Sequence, residues 1–261
     1  MFFSLPSWAV ALVIFAVVGG TCVAGATAGR YLRRHTDALR EPIGVLQGAL
    51  LGVVGLILAF GLSLAVGRYE NRRAAVVDEA NAIGTTYLRA QMLAEPQRTE
   101  SLDLLRRYTD LSIRLSNEVP SSEAMQQTTT EQSALQRRLW RLAGQSVAGA
   151  PIATAPRLYV ETLNEMIDQQ TVRVSGLNNR VPGAVLGLEV IGAAVVVGLL
   201  ALYLSFLGRG LPAAVAASVL VTLLLLVTLD LDRPTRGLIT VPATPLESLR
   251  TSMVLPPAAG P

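Results

Sequence analysis

The sequence predicts an all-α integral membrane protein with four transmembrane helices and a helical extramembrane domain between the second and third. Three observations carry that fold class. The 261 residues are 51% hydrophobic and only 16% charged, against about 25% charged in an ordinary soluble domain. The apolar residues gather into four blocks, at 5–28, 43–66, 183–206 and 211–229, each close to the roughly 20 residues that cross a bilayer. Between 68 and 182 the apolar positions recur at helical spacing, and no alternating run competes to make a strand.

The first block holds no charge from Leu5 to Ala28 and is closed by Arg30, Arg33 and Arg34. At 1.5 Å per residue it is ~36 Å long, enough to span a ~30 Å hydrocarbon core. No basic segment precedes it, and it exceeds the roughly 7–15 apolar residues of a cleaved signal peptide, so it reads as a transmembrane helix. Pro42 opens the second block, where its missing N–H is no loss. Gly44, Gly48 and Gly52 share one face of that helix, and Gly25 with Gly29 and Gly183 with Gly187 repeat the spacing. Small residues four apart let helix backbones approach closely in lipid. Packing within one subunit is the default reading of these pairs, and packing between subunits is the alternative. Only Leu207-Gly208-Arg209-Gly210 separates the third and fourth blocks, which forces an antiparallel hairpin.

Four spans place both termini and the 68–180 segment on one side of the membrane and the 30–42 loop on the other. Arg30, Arg33, Arg34, Arg40 and Arg209 fall on the loop side, and Arg68, Arg72, Arg73, Arg173, Arg180, Arg233 and Arg236 on the other. The positive-inside rule therefore assigns no orientation. Four domains follow: 1–67 as the first helix pair, 68–182 as the helical domain, 183–230 as the second hairpin, and 231–261 as a Pro-rich C-terminal segment whose end is unstructured.

Within 68–182, Val76, Ala80, Ile83 and Tyr87 form a stripe that continues directly from the second span. Pro96 begins a helix carrying Leu104, Tyr108, Leu111 and Leu115, which ends before Pro120. Thr128-Thr129-Thr130-Glu131 is a candidate N-cap region ahead of Leu135, Leu139 and Leu142. Pro156 opens the last helix, with Tyr159, Leu163, Met166, Gln170, Val174 and Leu177 on one face. These narrow stripes describe a bundle in which each helix buries one side.

The net charge of +3, all of its basic side chains Arg, is too small and dispersed to argue for nucleic-acid binding. One Cys (Cys22) and one His (His35) supply neither a disulfide nor a Cys/His metal cluster. No hydrolase elbow, P-loop, dinucleotide fingerprint or zinc-protease motif occurs, so no catalytic residue, cofactor or metal is assigned and an enzyme is not expected. Glu189 is the one charge inside an apolar block. It either reaches the interface, six residues past Gly183, or faces a cavity or partner. Asp230 and Asp232 end the fourth span beside Arg233. They are candidates for a cation site or, with Arg233, a structural ion pair, although two carboxylates fall short of the roughly six to eight oxygens calcium takes. Arg72 and Arg73 stand within two turns of the membrane edge, where an anion or a lipid headgroup would be met. Leu56, Phe60 and Leu64 make an apolar row on the second span. Such a row is a packing seam, or, repeated around a symmetry axis, a hydrophobic constriction.

The run Arg68-Tyr69-Glu70-Asn71-Arg72-Arg73, followed by Glu79-Ala80-Asn81-Ala82-Ile83-Gly84-Thr85, resembles the signature after the second span of bacterial bestrophin-like proteins. Leu163-Asn164-Glu165-Met166-Ile167-Asp168 and Asp230-Leu231-Asp232-Arg233-Pro234-Thr235-Arg236-Gly237-Leu238-Ile239 match that family's later motifs. The resemblance covers roughly 40–253 and links the chain distantly to the bestrophin anion channels. It implies a homo-oligomer, pentameric by analogy, in the bacterial inner membrane, conducting small anions such as chloride. It further implies a pore lined by the second span, to whose neck Leu56, Phe60 and Leu64 are assigned, with a row through Val53 and Ile57 as the alternative register. The acidic calcium clasp of eukaryotic bestrophins is represented here only by Asp230 and Asp232. The competing expectation is a non-conducting membrane sensor or scaffold that acts through the helical domain.

Overall fold

A computed structural model of the chain describes residues 7–35, 40–208, 210–235 and 237–255. These form eight helices and, among the described residues, no strand: α1 (Ser7–His35), α2 (Arg40–Ala90), α3 (Gln97–Ser116), α4 (Glu123–Gly149), α5 (Thr154–Asn178), α6 (Gly183–Phe206), α7 (Leu211–Leu231) and α8 (Thr244–Ser252). Arg209, Arg236, residues 36–39 of the loop after the first span, and the Pro-rich end at 256–261 lie outside the described residues. The chain divides into two units, Met1–Arg68 with Arg180–Ile239, and Tyr69–Asn179 with Thr240–Pro261.

The first unit holds α1, the N-terminal part of α2, α6 and α7, which contain the four stretches long and apolar enough to cross a membrane. The chain is an integral membrane protein. α1 runs past Ala28 to His35, and the Arg33, Arg34 and His35 of its last turn suit the negative end of the helix dipole. Val10, Ile14, Val18, Cys22 and Ala26 are its buried stripe. It packs on α6 through small residues: a Cβ at Gly25 would meet the Gly198 carbonyl, and one at Gly29 the Leu202 carbonyl. Level pairing of 25 with 198 and 29 with 202 makes α1 and α6 parallel. In lipid the gain comes from dispersion between close backbones rather than from excluded water. The hairpin between α6 and α7 turns on Gly208 (φ 75°) and Gly210 (φ 106°), left-handed conformations that a Cβ would strain.

The second unit holds the rest of α2 with α3, α4, α5 and α8. Ile83, Leu104, Leu105, Tyr108, Leu139, Tyr159, Leu163 and Met166 form its core, joined by Leu246 and Met253 from the C-terminal segment. α3 starts just after Pro96 and α5 two residues before Pro156, while α2 enters this unit already helical. α4 starts earlier than expected. Ser122, not the threonine run, is its N-cap, accepting from the Met125 N–H at 3.1 Å. The Thr129 and Thr130 hydroxyls donate instead to the Met125 and Gln126 carbonyls one turn back, which satisfies them inside the helix. α8 is a helix that the prolines around 242–257 obscured. Pro245 sits in its first turn, where a proline fits. The Met253 carbonyl beyond its end accepts from the Tyr87 hydroxyl and the Arg106 guanidinium, at 3.0 and 3.1 Å.

Candidate functional site

The second apolar helix carries the row singled out in the sequence. Within the first unit, α2 buries Val54, Leu58, Gly61 and Ala65, spaced four, three and four apart. This is one helical face, and Val54 lies against Gly192 of α6. Leu56, Phe60 and Leu64 are 57%, 61% and 52% exposed and face away from it. Helical spacing puts Val45, Ala49, Gly52, Leu56, Phe60, Ser63 and Gly67 on the outward side, and none of them is buried. Val53 is exposed as well, while Ile57 is only half-buried at the flank. The glycines of this helix split in the same way. A Cβ at Gly44 would touch the Tyr203 ring, but Gly48, Gly52, Gly55 and Gly67 have open space beside them. Gly25 and Gly29 therefore make a seam within the chain, whereas Gly48 and Gly52 do not.

In the second unit α2 exposes a mostly polar row. Glu70, Ala74, Asp78, Asn81 and Thr85, again three or four apart, are all exposed.

Glu189 is buried in α6, with 1% exposure, and its Oε1 has no hydrogen-bond partner. The carboxyl lies over Gly61, where a Cβ would collide with it. The helix it faces is α2, on the side opposite Leu56 and Phe60.

Arg72 and Arg73 part company. Arg72 is 4% exposed, and its Nε and Nη2 donate to the carbonyls of Gly176 (3.1 Å) and Asn179 (2.8 Å). The residue expected at an anion or headgroup is thus a cap for the C-terminus of α5, where unpaired carbonyls and the helix dipole favour a cation. Arg73 is exposed and lies 3.8 Å from Glu70, one turn away.

Asp230 and Asp232 each bind backbone. Asp230 Oδ2 accepts from the N–H groups of Leu238 and Ile239, both at 2.8 Å, and so shapes the turn after α7. Asp232 is fully buried and accepts from the Val181 N–H at 3.1 Å, which ties the end of α7 to the approach of α6. Arg233 is buried beside them in sequence. Among the described residues no group of three or more His, Cys, Asp or Glu gathers to hold a metal.

The helical unit contains a constellation that the periodicity of the sequence did not reveal. Glu79 of α2 and Arg173 of α5, 0% and 2% exposed, form a buried ion pair. Glu79 Oε1 accepts from the Ser112 hydroxyl (3.0 Å), and the hydroxyl oxygen accepts from Gln132 Nε2 (3.0 Å). Gln132 in turn accepts from Gln170 Nε2 (3.3 Å), and Arg173 Nη2 donates to the Ser112 carbonyl (3.0 Å). A signal was available, because Glu79 adjoins Ala80 on the buried stripe of α2, and Gln170 and Arg173 fall on the buried stripe of α5. Polar residues at core positions of a helix announce partners. Nearby, burial and the negative charge of Glu79 raise the Tyr108 hydroxyl above its ordinary value, and burial pushes Tyr159 up to about 12.

A family model for the Bestrophin-like domain matches residues 10–246. No curated protein matches the chain. Solved structures do. A bacterial bestrophin homologue from Klebsiella pneumoniae superposes with a TM-score of 0.64 at 12% identity, over 90% of this chain and 96% of that one. A single-substitution variant of the Klebsiella pneumoniae homologue gives 0.68 at 12% identity over 93% and 97%. A further crystallised membrane protein gives 0.69 at 11% identity, over 93% and 97%. At such identities the likeness is one of fold, and it extends over both units. With the family model spanning nearly the whole length, this chain belongs to the bestrophin-like family of membrane proteins.

Proposed function

We propose that the chain is the subunit of a homo-oligomeric ion channel whose pore is lined by α2. The observation that carries this reading is the outward face of that helix. Within the first unit it is apolar from Val45 to Phe60 and small at Ser63 and Gly67, and its glycines at 52 and 67 stand beside open space. Around an axis of symmetry, small residues on that face leave room between copies, and a ring of Leu56 and Phe60 makes an apolar constriction. The bestrophin resemblance supports a pentamer, with chloride-like anions as the permeant species and the bacterial inner membrane as its place.

One observation favours a second reading of selectivity. The charged residues in the exposed row of α2 in the second unit are acids, Glu70 and Asp78, and rings of carboxylates attract cations. The reversal potential under a salt gradient separates the two.

Single cysteines test the assignment of the pore helix in a Cys22→Ala background. Water-soluble thiol reagents should block ion flux through Leu56→Cys, Phe60→Cys and Ser63→Cys, and leave Val54→Cys and Leu58→Cys untouched. Block at the buried positions instead of the outward ones contradicts the assignment.

A further inference from the structure

We infer that Glu189 is a proton-binding site whose occupancy sets how closely α2 packs on α6. The side chain is buried at 1% exposure, its Oε1 has no hydrogen-bond partner, and it sits where Gly61 leaves the α2 backbone bare. Ionisable groups are rare in apolar spans, and a carboxylate there needs a partner, water or a proton. A metal ion would need several more oxygen or nitrogen ligands, and no cluster of such residues lies among the described residues. A proton needs only the carboxyl itself.

The charged and titratable groups on every element packed against Glu189 are few. α1 carries Arg30, Tyr31, Arg33, Arg34 and His35 in its final turns. These lie level with α6 beyond Gly198, which is itself ~13 Å along the helix from Glu189. α2 carries Arg68 two turns past Gly61, and Glu41 at its opposite end. α7 carries Asp230, whose carboxylate is engaged by the Leu238 and Ile239 N–H groups. At the head of α6, Asp232 holds the Val181 N–H, with Arg180 beside it in sequence.

With its proton on, the carboxyl is neutral and fits the apolar notch. With the proton off, the carboxylate must be hydrated, and water entering at Gly61 parts α2 from α6. Gly61 follows Phe60 directly, so such a movement would also shift the outward row. That last consequence rests on the reading of α2 as the pore helix, and the site itself does not.

The test uses a cross-link rather than flux. A Cβ on Gly192 would stand 4.0 Å from the Val54 Cβ, inside the separation of about 3.5–4.5 Å that a disulfide spans. Val54→Cys with Gly192→Cys, in full-length Cys22→Ala protein in liposomes, therefore reports α2 against α6. The trapped fraction after oxidation is read from acid to alkaline pH, beside the same pair carrying Glu189→Gln, which cannot ionise. Thiol chemistry alters both profiles alike, so the ratio isolates Glu189. The expected result is a several-fold fall, as pH rises, in the trapped fraction of the Glu189 protein relative to that of Glu189→Gln. Superimposable profiles overturn the inference. A pair that cross-links in neither background also overturns it, by removing the approach of α2 to α6. Proton-dependent trapping in an oligomer that conducts nothing leaves the inference standing and removes the pore reading instead.

Discussion

Replacing Arg173 with Met should destabilise the helical unit more than any surface change, and the size of the effect follows from the bonds that the guanidinium makes. Arg173 is 2% exposed and holds Glu79, the Ser112 carbonyl and the Ser116 hydroxyl at once. Methionine fills much of the space but leaves Glu79 as a buried charge supported only by the Ser112 hydroxyl. Removing one member of a buried pair costs about 3–5 kcal/mol, whereas replacing both with apolar residues is often close to neutral. In a unit of this size each kcal/mol moves the melting temperature by roughly 3–4 °C, so Arg173→Met should melt about 10–20 °C lower. Glu79→Leu combined with Arg173→Met should recover most of that loss. The chain has two tryptophans, and Trp140 lies on α4. With Trp8→Phe, fluorescence of the purified full-length protein therefore reports the helical unit alone. A shift in Arg173→Met below about 3 °C, less than 1 kcal/mol, or a double variant as unstable as the single, would refute the argument.

Three further outcomes can be measured. Gly25→Val drives a side chain into the Gly198 backbone, which no rotamer relieves. It should abolish the folded membrane unit as read by Trp8 fluorescence in a Trp140→Phe background, whereas Gly48→Ala should leave melting unchanged and alter only oligomer assembly on size-exclusion chromatography. Tyr159 has a native pKa raised to about 12 by burial, above the value near 10 in unfolded chains. Its contribution is fully present below about pH 10 and is lost as pH climbs through about 12, so Tyr159→Phe should flatten the fall in melting temperature across that window. Calcium should not shift the melting temperature, since Asp230 and Asp232 are both engaged by backbone N–H groups. A calcium-dependent rise abolished by Asp230→Asn would contradict that assignment.

What the sequence made legible was periodicity, and what it hid was pairing. The spans at 43–66, 183–206 and 211–229 fall inside α2, α6 and α7 because long uncharged runs admit no other structure in lipid. The unbroken passage of α2 from Pro42 to Ala90 was readable from the absence of Gly or Pro between Gly67 and Gly84. The cap role of Arg72 was not readable, because its carbonyl partners at Gly176 and Asn179 lie over a hundred residues away. Distance along the chain likewise hid the bond between Glu79 and Arg173, and the seat of Glu189 on Gly61. Spacing says which face of a helix a residue occupies, while tertiary packing alone says what meets that face. The Leu56 and Phe60 row illustrates the boundary. Its existence came from spacing, and its outward exposure came from the bundle formed by α1, α6 and α7.

Conduction by an oligomer through α2 is the central claim, and chloride flux from purified protein in liposomes tests it most directly. The account predicts flux from an intact oligomer, with selectivity or gating altered by Phe60→Ala. An intact oligomer that passes no ion at any voltage or pH contradicts it, and would leave the bestrophin-like fold serving as a membrane sensor or scaffold.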